Sequence, residues 1–187
     1  MTELLTTMHY QVWALHFLIW FPVIGMVGVL SGDNAGAKYT ALTVSIIEFL
    51  VSLPLWFGFV PSQAGFQFGA VMPWIPQWGI SYRVGIDGIA LVLVLLTTFL
   101  MPLTVLGSFK YITKREKAFY AMLLLLQTGI LGVFCALDLF LFFMFWEIML
   151  VPMYFIIGIW GGPRRIYASM KFFLFTMAGS LLMFLAI

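Results

Sequence analysis

Two carboxylates lie inside apolar runs where an ionised side chain is expensive. Glu147 sits in DLFLFFMFWEIMLVPMYFIIGIWGG, residues 138–162, and Glu48 in YTALTVSIIEFLVSLPLWFGFV, residues 39–60. Both runs have the length and composition of helices that cross a hydrocarbon core about 30 Å thick. At about 1.5 Å of rise per residue, Glu147 lies roughly 13 Å beyond Asp138, near the middle of such a core. An acid there costs on the order of 2.5–3.5 kcal/mol on insertion scales, so a cation, a water or a proton must compensate it. Desolvation favours the neutral acid, whereas a lysine on another helix would favour the ionised one. A site balanced between the two can load and release a proton. Proton carriage is therefore the chemistry expected of Glu147; a neutral glutamate joining helices is the structural alternative.

The residues at helical spacing around Glu147 are Phe140, Phe143, Met144, Leu150, Val151 and Tyr154, and only Tyr154 offers it a hydrogen bond. Pro152 has no amide hydrogen, so the carbonyl of Ile148 loses its helical donor and a bend or a water can sit one turn from the acid. Asp138 is on the opposite side of the helix, and its place in the first turn suits an N-cap better than a proton entry. Lys171 lies four residues beyond Tyr167, about 6 Å into the following span; it either snorkels to the headgroups or turns inward on a proton route. For Glu48 the helical neighbours Val44, Val51 and Ser52 give little polar company, and a paired structural acid competes with a carrier. Asp87, before Gly88, reads as a helix N-cap rather than a catalytic group.

The chain that must position these groups is 64% hydrophobic and 9% charged, with a mean hydropathy of +1.11. A soluble domain carries about a quarter charged residues, so this is an all-α integral membrane protein. A net charge of +2 gives no footprint for nucleic acid, and the lone Cys135 builds neither a disulfide framework nor a metal cluster. His9 and His16, seven apart, share a helix face and suit interfacial packing better than metal ligation. Haem, iron–sulfur and dinucleotide patterns are missing, so no cofactor is expected on this chain.

Six spans are expected, at about 9–30, 39–60, 88–108, 118–136, 138–160 and 167–187, in a single transmembrane domain over 1–187. The turn SGDNAGAK separates the first two. Gln127 is the central polar group of the fourth, and Pro102 should kink the third. Residues 61–86 alternate with period two around FQF and WGISYRV, which predicts a short β-hairpin with Pro73 and Pro76 between its strands. Trp74, Trp78 and Tyr82 of this hairpin are placed at headgroup level. Lys38, the cluster Lys110, Lys114, Arg115 and Lys117, and the pair Arg164 and Arg165 mark the odd loops as cytoplasmic. The even loops carry Arg83 alone, so the hairpin is expected to be extracytoplasmic and the N-terminus, with Glu3, outside. The sixth span reaches Ile187 without a polar tail, which suggests a piece of a longer chain.

The run LDLFLFFMFWEIMLVPMYFIIGIWGGPRRIYASMKFFLFT, residues 137–176, resembles the membrane subunit called chain M or subunit four of respiratory NADH:quinone oxidoreductase (complex I). The segment YRVGIDGIALVLVLLTTFLMPLTVL, residues 82–106, resembles the same subunit. The resemblance implies the N-terminal part of a longer antiporter-like helix bundle that moves protons at a distance from quinone reduction. Glu147, in the W-E-x-x-L-x-P pattern, matches the family's signature carboxylate, which pairs with a lysine on a seventh helix that these six spans do not include. Lys171 matches the lysine of a K-F-F-x-Y-T run, here KFFLFT, and Glu48 matches no signature. The resemblance also implies that NADH, FMN, iron–sulfur clusters and quinone are used by other subunits, and that the partners are neighbouring antiporter-like membrane-arm subunits in the lipid bilayer. A bacterial inner membrane suits the short loops, with a mitochondrially encoded copy as the alternative. A membrane subunit of a multisubunit cation/proton antiporter is the competing function, and a purely structural assembly subunit is a third.

Overall fold

Runs of about 20 apolar residues satisfy their backbone groups in lipid only by closing every hydrogen bond within the segment, which makes them helices. The computed structural model describes residues 10–186. Among these, six helices are long and apolar enough to cross a membrane: α1 (Tyr10–Ser31), α2 (Asn34–Gly58), α3 (Gly88–Ser108), α4 (Glu116–Cys135), α5 (Leu139–Trp160) and α6 (Arg165–Ala186). Glu3 and His9 lie outside the described residues. The expected spans correspond in order, with shifts at several of their ends. α2 begins at Asn34 rather than near Tyr39, because most of the Gly- and Asn-containing turn continues into helix and the amide of Ala37 bonds the carbonyl of Asp33 at 3.1 Å. Lys38 therefore lies on the first turns of α2. α4 begins at Glu116, which places an acid at the positive end of the helix dipole.

α4 is the most enclosed helix and α6 the least. α4 packs against α1, α2, α3 and α5, whereas α6 packs along α5. Two apolar cores result. One joins α1, the hairpin and the ends of α4 and α5 through Leu15, Leu18, Val84, Ile86, Leu131 and Phe145. The other joins α2, α3 and α4 through Ala41, Val44, Val105, Tyr120 and Leu124.

The approach of α4 to α5 is set by two glycines one turn apart. A Cβ on Gly129 would lie 3.2 Å from backbone atoms of Met149, and one on Gly132 would overlap the ring of Phe145. Small residues let helix backbones close in a bilayer, where burial of apolar area gives no drive for association.

Between α2 and α3 stands an antiparallel pair, β1 (Gln67–Ile75) and β2 (Ile80–Ile86), joined by a 3₁₀ turn at Pro76–Trp78 and by Gly79 in the left-handed region. Pro73 was expected between the strands; it lies within β1, opposite Ser81. A two-stranded ribbon tolerates it because β1 is an edge strand that pairs with β2 alone. Trp74 and Trp78 are exposed. Tyr82 is not: it is half-buried against α1, where its ring stacks on His16 at 5.4 Å and its hydroxyl accepts from Trp20 Nε1 at 3.3 Å.

Asp138 locks the hairpin to the bundle. Its Oδ1 accepts from the amides of Phe140 and Leu141 at 3.0 and 3.1 Å, and its Oδ2 from the amide and hydroxyl of Ser81 at 3.0 and 3.3 Å. The amide of Leu137 completes the seam by bonding the carbonyl of Arg83 at 2.8 Å. Burial alone would raise the Asp138 carboxyl, but these donors outweigh it and hold the carboxyl below the ordinary aspartate value. Asp87 caps α3 more simply, accepting from the Ala90 amide at 2.7 Å.

Replacing Gly129 or Gly132 with Ala should cost about 1–3 kcal/mol by overpacking, read as a lower midpoint for unfolding in denaturing detergent. Asp138→Ala should cost about 1 kcal/mol through the lost cap and expose the hairpin to protease. The contribution of a depressed carboxylate is present above the unfolded aspartate value and is lost as pH falls through the lower folded value. Wild type should thus lose stability on acidification below about pH 4, and Asp138→Asn should flatten that part of the profile. An unchanged profile would separate Asp138 from the hairpin seam.

Candidate functional site

α5 presents one face to α6. Phe143 stacks on Phe184 at 4.6 Å, Phe140 meets the same ring at 6.2 Å, and Tyr154 meets Phe173 edge-on at 5.5 Å. Gly158 lies against Ser169, whose Oγ is 3.2 Å from where a Cβ would stand. These contacts run in antiparallel register, so each step forward on α5 is matched by a step back on α6. Glu147 occupies the same face, between Phe143 and Tyr154, and the register puts Ser180 level with it. Ser180 is one of two buried residues on α6, 4% exposed.

Glu147 is half-buried, and its Oε1 is buried with no hydrogen-bond partner. Among the described residues it has no ion pair. Tyr154, its expected hydrogen-bond partner, stands two turns away, about 10 Å along the axis, and no hydrogen bond joins them. The tyrosine ring packs on Phe155 and Phe173 instead. Lys171 is exposed, with its ammonium 5.9 Å from the ring of Tyr167. Its level on α6 falls near Ile156, about 13 Å along the axis from the acid, so these two groups are not brought together. Pro152 is buried inside a continuous α5. Asp138 and Asp87 serve as caps, as described above. Ser180 escaped the sequence reading because a single serine in an apolar run gives no signal; the small-residue triplet AGS at 178–180 was the available hint of a close helix contact.

A second polar group lies on the far side of α4. Glu48 is 0% exposed and neither carboxyl oxygen has a partner, and Gln127, 1% exposed, has both amide atoms without one. Beside Val44, Val51 and Ser52 at helical spacing from Glu48, Ser45, one turn back, is also fully buried. Among the described residues no group of three His, Cys, Asp or Glu side chains could hold a metal ion.

The chain divides between two family models. Residues 17–133 match "NADH-ubiquinone oxidoreductase chain 4, amino terminus", and residues 136–187 match "NADH:quinone oxidoreductase/Mrp antiporter, TM". NADH-quinone oxidoreductase subunit M of Rhodobacter capsulatus is 48% identical over 166 residues, covering 88% of this chain and 32% of the relative. NADH-ubiquinone oxidoreductase chain 4 of Arabidopsis thaliana is 42% identical over 174 residues, covering 91% and 35%. Among solved structures, respiratory complex I from Thermus thermophilus with bound NADH superposes at a TM-score of 0.79 and 26% identity, over 92% of this chain and 34% of that one. The Mrp complex from Dietzia sp. DQ12-45-1b shares the fold at a TM-score of 0.72, with 20% identity over 90% and 18% of the two chains. The chain thus spans about a third of the length of the curated relatives it matches. With the amino-terminal model covering more than half its residues, the chain belongs to the NADH-quinone oxidoreductase subunit M/chain 4 family.

Proposed function

We propose that this chain forms part of a proton-translocating membrane-arm subunit of an NADH:quinone oxidoreductase, with Glu147 as a proton carrier. One observation carries the reading: a carboxyl oxygen of Glu147 is buried in mid-span with no partner, inside the W-E-I-M-L-V-P run of a chain of this family. A carboxyl so placed is cheap when protonated and costly when ionised, unless a cation approaches it. Movement of a cation toward or away from the α5–α6 face would therefore change its proton occupancy. Ser180 is a positioning residue here: its hydroxyl donates to the Met177 carbonyl at 3.0 Å and keeps a polar atom level with the acid.

The redox chemistry belongs to other subunits in this reading, with NADH, FMN, iron–sulfur clusters and quinone bound away from this chain. The partners are neighbouring membrane-arm subunits and the bilayer. The antiporter-complex alternative uses the same fold; the names of the sequence relatives, subunit M and chain 4, favour the oxidoreductase.

The orientation follows from charge. Lys38, Lys110, Lys114, Arg115, Lys117, Arg164, Arg165 and Lys171 lie toward one end of the bundle, with Arg83 alone at the end that holds the hairpin. The basic end faces the cytoplasm, or the mitochondrial matrix in an organellar copy, and the hairpin faces the opposite compartment.

Glu147→Gln in the full-length protein, assembled in its complex, should lower quinone-coupled proton pumping roughly tenfold or more, equivalent to about 1.4 kcal/mol or more on the rate-limiting step. Assembly should be unchanged, because the amide is isosteric. Near-normal pumping would leave Glu147 a structural acid. For topology, a cysteine at Gln77 should react with a membrane-impermeant maleimide from outside intact cells, and one at Tyr111 only after lysis. The reverse pattern would invert the orientation.

A further inference from the structure

We propose that Glu48 and Gln127 bracket a second proton-binding site, a water-linked neutral carboxyl sealed between α2, α3 and α4 and separate from Glu147. Glu48 lies at the centre of the buried face of α2, in line with Ala41, Ser45, Ser52 and Leu55, each 0% exposed. Gln127 lies on the face of α4 that carries Tyr120, Leu124 and Leu131, all likewise enclosed. Ala41 and Val44 share one core with Tyr120 and Leu124. α2 and α4 run in the same direction, so continuing each helix by one to two turns from that shared core brings Glu48 and Gln127 to the same depth.

The third wall is α3. Ser52 Oγ and Thr98 Oγ1 are 2.8 Å apart, which fixes the level of α3 against α2 one turn beyond Glu48. Four residues after Thr98 comes Pro102, buried and without an amide hydrogen, so the Thr98 carbonyl lacks its usual donor four residues on, at this level. An unpartnered carboxyl and an unpartnered carboxamide thus fall at the depth of a carbonyl that lacks its usual helical donor. Polar groups sealed in a membrane bundle are paired with protein or with buried water, and a buried water takes two to four such groups.

Among the described residues the carboxyl meets no cation. On α3 there is no titratable side chain. On α4, Tyr120 shares a hydrogen bond with Ser108, Cys135 belongs to the other core, and Glu116 and Lys117 lie at the helix start. On α1, Tyr10 donates to the Val51 carbonyl at 2.5 Å and His16 engages Tyr82. Lys38 and Tyr39 of α2 itself are some three turns from Glu48 toward the basic end. Without a counter-charge, the species compatible with this enclosure is the protonated acid, which donates one hydrogen bond and accepts another. Its proton is exchangeable through the bound water, with Gln127 as acceptor and donor on the other side.

Infrared spectroscopy of the full-length protein in its complex, reconstituted in lipid, tests this directly. Wild type should show a protonated-carboxyl C=O band that is lost in Glu48→Gln and retained in Glu147→Gln. That band should shift in D₂O, and Gln127→Leu should move it toward the position of a carboxyl without hydrogen bonds. Should Glu48→Gln not assemble, the Gln127→Leu displacement of the wild-type band still decides the matter. Absence of a Glu48-dependent band, or a band indifferent to D₂O and to Gln127→Leu, would overturn the proposal in favour of a dry structural acid. Loss of the band on adding Na⁺ would overturn it in favour of a cation ligand. These outcomes are independent of whether Glu147→Gln pumps.

Discussion

In a hydrocarbon core a polar group is compensated by the protein or by a trapped water, because bulk solvent is out of reach. That constraint orders this molecule from its backbone outward. It makes every long apolar run a helix, and it confines the irregular backbone of the hairpin to one end of the bundle. It also makes each polar side chain within the spans a matter of several hydrogen bonds at once. Most such groups answer it locally: Thr97, Ser45, Ser169 and Thr176 donate to the carbonyl three or four residues back on their own helices. Glu48, Gln127, Glu147 and Thr128 keep buried polar atoms with no partner, and the first three have side chains that reach away from the helix they stand on.

The geometry of those three depends on α4. Its Gly129 and Gly132 admit α5 so closely that Met149 and Phe145 rest on the α4 backbone. This contact turns the opposite side of α5, with Glu147, toward α6. The other side of α4 carries Gln127 toward α2 and α3. One helix thus separates two acids and gives each a different surrounding. The hairpin fixes the end of this arrangement, since Asp138 caps α5 and holds Ser81 with the same carboxylate. A short aspartate in the tight turn between α4 and α5 thereby couples the register of α5 to the sheet.

The helices were legible because their signal is long and repeated: twenty apolar residues read the same way whatever they pack against. Caps at Asp87 and Asp138 were legible too, since an N-cap is a local interaction between neighbours in sequence. The hairpin was visible through its alternation, but Pro73 was misplaced, because a proline normally interrupts a strand and only the free edge of a two-stranded ribbon excuses it. What sequence spacing could not supply was contact between helices. Tyr154 was a fair partner for Glu147 by phase alone, yet phase puts residues on one face without bringing them within reach. Two turns of rise separate these groups, and the tyrosine packs on Phe155 of its own helix and Phe173 of α6. Ser180 and Gln127 acquire meaning only once the register of α5 with α6 and of α2 with α4 is known.

The two acids differ in enclosure, and this difference bears on what each can do. Glu48 is fully enclosed, neither of its carboxyl oxygens has a partner, and among the described residues it has no ion pair. Glu147 lies on a face that α6 covers in part, with one oxygen buried and without a partner. A charged group approaching that face would meet a half-desolvated carboxyl, where electrostatic interaction is stronger than in water and still open to change. A carrier needs both a reason to bind a proton and a means to lose it. In the proposed carrier role, burial of Glu147 would supply the first and its partly covered face toward α6 the second, whereas Glu48, at a similar depth, is enclosed on all sides.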